Sequence, residues 1–161
     1  MNMTEVLLAL IITIIVVAGV AFIFTNARDK NNQQKTMNNL LFIRASIEQL
    51  FNNGNFDGLD NDVLMTANIV PTELQRNGTI QSPWGPVTIE AAEGGGSYTI
   101  TMENLNSGAC QSLGTLSPTS WESISVNGQV LYDRSVNDPI NNVDLINACG
   151  NATNTIVYTA P

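Results

Sequence analysis

Histidine is absent from this chain of 161 residues. That removes the commonest general base, the commonest metal ligand and every Ser-His or Cys-His nucleophile pair. A catalyst would have to rely on Lys or carboxylates alone, so the chain is not expected to be an enzyme or to hold a metal or cofactor. Basic side chains are scarce too: six Lys and Arg stand against 14 Asp and Glu, a net charge of −8. Only Glu5 precedes Arg28, so residues 27–161 carry 13 acids against 6 bases. Such a surface lacks the cationic stripe that binds phosphate backbones, and nucleic acid is not an expected partner. Cysteine is limited to Cys110 and Cys149. In an exported chain an even pair reads as a disulfide in an oxidising compartment; the alternative is two buried thiols in a cytosolic protein.

What the chain does have is one apolar block. Val6 to Phe24 is apolar except for Thr13. At about 1.5 Å per residue a helix of this length nearly matches a hydrocarbon core of roughly 30 Å, so the block can span a membrane. No basic residue precedes it, whereas Arg28, Lys30 and Lys35 follow. The positive-inside rule would then hold the C-terminal side in the cytoplasm, against the oxidising side that the cysteines require. Removal of a short basic leader, with Met1 as the new N-terminus, resolves the conflict. Glu5 is the only charge in the first 27 residues. An acid at membrane depth costs a few kcal/mol and calls for a partner, which here could be the α-amino group of another copy. Alternatively, Glu5 sits among lipid headgroups or at a helix start, where the dipole favours an acid.

Met1-Asn2-Met3-Thr4-Glu5 followed by an unbroken apolar helix resembles the mature N-terminus of type IV pilins. The resemblance implies leader cleavage by a dedicated peptidase and methylation of the new N-terminus. Met at position 1, Gly19 within the helix and the lack of proline at Phe22 resemble the type IVb branch. Gly19 is also a point at which the helix could loosen, by up to about 1 kcal/mol relative to Ala.

Helical periodicity continues through Met37, Leu40, Leu41, Ile47, Leu50 and Phe51, and Asn52-Asn53-Gly54 supplies a stop. The expected helix runs from about residue 2 to 52, apolar all round in its first half and amphipathic in its second. A helix apolar on every side must be buried everywhere, first in lipid and then among other copies. The expected division is residues 1–26 as the membrane and filament-core helix and 27–161 as the head.

The head reads as a chain of short elements. Asn53, Asn55, Asp57 and Gly58 imitate the start of a calcium loop, but Leu64 stands where the bidentate Glu belongs, so a solvated turn is expected. Val63 to Arg76 reads as one or two short helices interrupted at Pro71, and Gln81-Ser-Pro-Trp-Gly-Pro as a rigid turn. Val87–Glu90 and Tyr98–Met102 alternate across Glu93-Gly-Gly-Gly-Ser97, a hairpin pattern. Without a following Gly-Lys-Ser/Thr, the triple glycine is a hairpin tip and not a phosphate cradle. A helix is expected over Glu103–Leu116, and strands over Trp121–Val126 and Gln129–Tyr132 joined by Asn127-Gly128. A helix over Asn142–Ala148 and a strand over Thr155–Tyr158 complete the pattern.

A Cys110–Cys149 bond would close a loop of about 40 residues, worth roughly 3–4.5 kcal/mol. In the pilins such a disulfide bounds the variable region, here 110–149. The Ser-Pro-Trp-Gly-Pro turn and the Ala-Cys-Gly closure resemble thin-pilus subunits of conjugative plasmids and enterobacterial type IVb pilins. The implied fold is α+β: a long N-terminal α-helix whose second half packs on a small antiparallel sheet, closed by the C-terminal disulfide. The implied function is a major pilin, a homo-oligomeric helical filament on a bacterial surface, anchored in the inner membrane before assembly. Met1, Glu5 and Gly19 would be its assembly residues. Its partners would be the leader peptidase, the pilus assembly machinery and a host or recipient cell surface. A minor pilin or secretion-system pseudopilin is the second reading, and a membrane-anchored periplasmic binding protein the third. Asn77-Gly-Thr79 and Asn151-Ala-Thr153 are glycosylation sequons.

Overall fold

The computed structural model describes residues 2–13, 29–136 and 138–161 in full, and across 14–28 gives the helical backbone alone. Two compact units form, Met1–Asn32 and Gln33–Pro161. Helix α1 (Met3–Leu50) contributes to both. The second unit is a head with a five-stranded sheet in which every neighbouring pair is antiparallel.

Within the head, α1 presents Met37, Leu40, Ile43 and Ile47 to the core, each essentially inaccessible. Steps of three and four residues put these side chains on one stripe. Leu41 and Phe51 pack at the margin of this core, whereas Leu50 is exposed. Helix α2 (Asn61–Thr66) follows the Asn53–Asp57 loop, and Asp60 caps it by accepting from the Val63 N–H at 2.8 Å. The expected Val63–Arg76 helical stretch is broken earlier than Pro71: α2 ends at Thr66, Asn68 takes φ 59°, and a single 3-10 turn at Thr72–Leu74 after Pro71 leads into strand β1 (Gln75–Arg76), paired with β2 (Thr79–Ile80). That ribbon corrects the helical reading of Gln75 and Arg76. Asn77 and Gly78 both take positive φ there, the backbone of a tight two-residue turn.

Strands β3 (Val87–Ala91) and β4 (Tyr98–Leu105) form the expected hairpin around the glycine tip. β4 runs three residues further than the alternation shows, so Glu103–Leu105 is strand and not helix. A bulge between Met102 and Leu105 carries the extension, with Asn104 at φ 61°. The Ser82–Pro86 turn lies against this bulge. A Cβ on Gly85 would come within 2.8 Å of the Glu103 carbonyl, so only glycine fits. Helix α3 (Ser107–Thr115) starts after the bulge, capped by Asn106 on the Ala109 N–H at 2.8 Å. Hairpin β5 (Ser123–Val126) and β6 (Gln129–Asp133), helix α4 (Asn142–Ala148) and strand β7 (Asn154–Ala160) complete the chain.

Strand order is β3-β4-β7-β5-β6, so the last strand lies at the centre. Asn154, Ile156, Tyr158 and Ala160 of β7 alternate into the core, level with Tyr98, Ile100 and Met102 of β4 and Ile124 and Val126 of β5. The Tyr158 hydroxyl donates to the Leu113 carbonyl at 2.9 Å, which pins α3 to the same face. The fold is thus the expected α+β arrangement, with the amphipathic part of α1 on an antiparallel sheet.

Two predictions follow from the central strand and its tyrosines. Ile156→Ala should cost about 2–5 kcal/mol, whereas Val130→Ala on the exposed edge should stay within about 0.5 kcal/mol, both read from denaturant midpoints. Burial pushes the hydroxyl pKa of Tyr158 and Tyr98 well above the usual value, partly opposed at Tyr98 by the Arg44 guanidinium. Unfolded tyrosine ionises near pH 10, so above that pH the unfolded state binds fewer protons than the folded one. Stability should therefore hold below about pH 10 and fall above it, and Tyr158→Phe should flatten the fall in a pH series of midpoints.

Candidate functional site

In the Met1–Asn32 unit, the start of α1 is organised by Asn2 and Glu5. The Asn2 carbonyl accepts from the N–H groups of Glu5 at 3.0 Å and Val6 at 3.3 Å. Glu5 Oε2 in turn accepts from the Asn2 N–H at 3.4 Å. A third-position Glu reaching back to the cap N–H is half of a capping box, and its charge faces the positive end of the helix dipole. In the single chain, Glu5 therefore takes the helix-start setting. Met1 lies outside the described residues, and Gly19 lies in the stretch given as backbone alone. Val6, Leu7, Leu8, Leu10, Ile11 and Ile12 are all exposed, on every side of the helix. Among the described residues no helix is long and apolar enough to cross a membrane, and most of the Val6–Phe24 run falls in 14–28.

In the Gln33–Pro161 unit, Cys110 of α3 and Cys149 at the end of α4 form a disulfide with Cα atoms 5.7 Å apart. Both are wholly buried. The bond encloses the β5–β6 hairpin and α4, the segment expected from the sequence. α3 and α4 meet closely beside it: a Cβ on Gly114 would lie 2.8 Å from a Leu145 methyl.

Two asparagines hold this region together: Asn127, legible in the sequence only as a turn residue, and Asn154, which carries no signal there. Asn127, at φ 50° in the β5–β6 turn, donates from Nδ2 to the Ala148 carbonyl at 2.8 Å and to Asn154 Oδ1 at 2.9 Å. Its Oδ1 accepts from the Thr155 N–H at 2.9 Å. Buried Asn154 completes the set by donating to the carbonyls of Leu105 at 3.2 Å and Asn151 at 3.0 Å. The hairpin tip, the end of α4, the end of β4 and the start of β7 thus share one polar network. Asn127-Gly128 is visible as a turn from sequence, but partners 21 to 28 residues away leave no local signal.

Beneath α1, the Arg44 guanidinium lies over the Trp121 ring at 5.5 Å, and its Nε pairs with Glu48 at 3.1 Å. Trp121 stacks in turn on Tyr158, with centroids 4.7 Å apart. This assembly is a helix–sheet joint; among the described residues the buried Tyr98 hydroxyl and Trp121 Nε1 have no hydrogen-bond partner. The Asn53–Asp57 loop is built of side-chain turns. Asn53 Oδ1 accepts from the Asn55 N–H and Asn55 Oδ1 from the Asp57 N–H, so both oxygens already serve the backbone. On the outside of the head Phe42, Val130, Val136, Val143 and Ile146 are exposed. An open groove of about 570 Å³ runs beside Phe42, lined also by Ile69, Val70 and Pro71.

The family model described as PilS N terminal matches residues 30–161. The major structural subunit of the bundle-forming pilus of Escherichia coli O127:H6 is 27% identical over 125 residues, covering 72% of this chain and 63% of that protein. The same subunit from Escherichia coli O111:H- matches to the same extent, so the chain spans 63% of the length of these curated relatives. The crystal structure of TcpA, a type IV pilin from Vibrio cholerae El Tor, superposes with a TM-score of 0.62 at 16% identity, over 81% of this chain and 99% of that one.

The closed region generates its own test. Reduction of the disulfide should remove roughly 4 kcal/mol of stability, seen as a lower urea midpoint with reductant than without; equal midpoints would contradict the role assigned to it. Asn127→Ala should cost about 1–3 kcal/mol, because it strips partners from Asn154, Ala148 and Thr155.

Proposed function

Because the chain belongs to the PilS N-terminal family, we propose that it is a type IV pilin of the type IVb branch and the major structural subunit of an extracellular pilus. The observation that carries this reading is the match of residues 30–161 to that family, on a head with the pilin fold. A structural role without catalysis accords with relatives that are themselves structural subunits.

The physical case lies in α1. The apolar side chains from Val6 to Ile12 face outward on all sides of the helix. No single chain can bury such a surface, so it enters lipid first and a bundle of identical helices afterwards. Each subunit offers the same two different surfaces to its neighbours, a heterologous contact that does not close and so generates a helical filament. The Glu5 carboxylate has acceptor capacity beyond its long contact to Asn2. In the bundle it takes the Met1 amine of the next subunit, and an unpaired charge at that depth penalises wrong docking more than the pair adds stability. Gly19 lets the helix loosen as it leaves lipid. Exposed Phe42, Val143 and Ile146 on the head add apolar surface for neighbours to cover. In this reading the inner membrane holds the subunit before the pilus assembly machinery adds it to the filament. The assembled filament then displays the heads to other cells or surfaces.

Glu5→Ala in the producing strain tests this assignment. The variant should insert in the inner membrane at the normal level while sheared filament yield collapses. Normal filaments from the variant would count against the proposal, as would loss of insertion.

A further inference from the structure

The head contains three Asn-Gly steps, at Asn53, Asn77 and Asn127, and the structure holds them very differently. At Asn127 both ends of the carboxamide are engaged: Nδ2 binds the Ala148 carbonyl and Asn154 Oδ1, and Oδ1 binds the Thr155 N–H. At Asn53, Oδ1 accepts from the Asn55 N–H, and the next residue's amide is also used, donated by Gly54 to the Phe51 carbonyl at 3.0 Å. At Asn77, among the described residues, neither the carboxamide nor the Gly78 N–H makes a hydrogen bond. Asn77 and Gly78 are both exposed. The strands that hold their turn are two residues long each, and so short a ribbon is marginal.

From these contrasts we propose that Asn77 is a site of spontaneous covalent modification, converted to aspartate and isoaspartate by attack of its own following backbone, whereas Asn127 is protected. The Gly78 nitrogen attacks Asn77 Cγ. A bond forms between Gly78 N and Cγ, the Cγ–Nδ2 bond breaks, and Nδ2 leaves as ammonia with the Gly78 proton. Water then adds to either carbonyl of the resulting succinimide and opens it to aspartate or isoaspartate. Glycine at position 78 leaves the attacking nitrogen unhindered. The attack requires the turn to rotate out of its left-handed geometry, with Asn77 at φ 51° and Gly78 at φ 75°. What resists that among the described residues is the short β1–β2 ribbon, the Gln81–Leu74 backbone bond beyond it and the Thr79 hydroxyl on the Arg76 carbonyl, none of which holds the Asn77 carboxamide itself. Asn127 must instead break three side-chain hydrogen bonds before it can rotate. Asn77 should therefore react at least about tenfold faster than Asn127, with Asn53 between them. Each event adds one negative charge to an already acidic head.

The test is peptide mass mapping of the full chain, as filaments or in detergent, after incubation in heavy-oxygen water at mildly alkaline pH. Oxygen label should accumulate in the peptide containing Asn77 about tenfold or more faster than in the peptide containing Asn127. In the reduced, denatured chain all three sites should label at similar rates, because each is followed by glycine. Asn154→Ala, if it folds, should speed labelling at Asn127 and leave Asn77 unchanged. Equal rates at Asn77 and Asn127 in the native chain would overturn the proposal. So would an Asn77 that stays unlabelled when folded but labels when denatured.

Discussion

The last strand of the chain is the one that every other part of the head needs. β7 lies between β4 and β5, so the two hairpins that precede it cannot join until it arrives. β4 and β5 both pair with it in the antiparallel sense and therefore run parallel to each other, with an empty strand position between them until the C-terminus fills it. Insertion of β7 supplies Ile156, Tyr158 and Ala160 to the core and brings Tyr158 to the Leu113 carbonyl. Such pairing is non-local and pays its loop-closure entropy before any contact is made. The Cys110–Cys149 bond reduces that cost, because it ties α3 to the end of α4 just ahead of β7. Asn127 and Asn154 then secure the junction where the hairpin, α4 and β7 meet.

Asparagine does much of the backbone work in the head. Asn68, Asn77, Asn104 and Asn127 take left-handed φ, where a short amide is tolerated better than most side chains. Asn106 and Asn141 cap α3 and α4. Asn61 donates to the Val87 carbonyl and accepts from the Ile89 N–H, so one side chain closes the outer edge of β3 as a neighbouring strand would. With few charged residues available, these amides let a loop-rich head satisfy its polar groups. The Asn content therefore serves the fold as well as the solvent-facing surface.

What the sequence made legible was local. The stripe through Met37, Leu40 and Ile47, the glycine hairpin tip and the Asn127-Gly128 turn each follow from spacing within a few residues, and each is present. Two errors have local causes too. Alternation fades after Met102, where a bulge carries β4 on to Leu105, and β1 and β2 are too short for any period to register. The central place of β7 and the Asn127–Asn154 network depend on partners far along the chain, which no window of sequence displays. At the assembly end, the charge and its apolar context single out Glu5, and the structure adds its contact with Asn2. Under the proposed function the partner of Glu5 belongs to another copy, so it lies in neither the sequence pattern nor the fold of one chain.

In the proposed function, burial of the apolar start of α1 among other copies links this fold to a filament, and that can be read directly on the cell. Negative-stain electron microscopy of the sheared surface fraction, from the producing strain and from its deletion mutant, is the decisive measurement. The account predicts filaments in the parent with this chain as their bulk component, and none in the mutant. Filaments that persist in the mutant, with this chain scarce or absent from them in the parent, would contradict it and leave the chain a minor or accessory pilin.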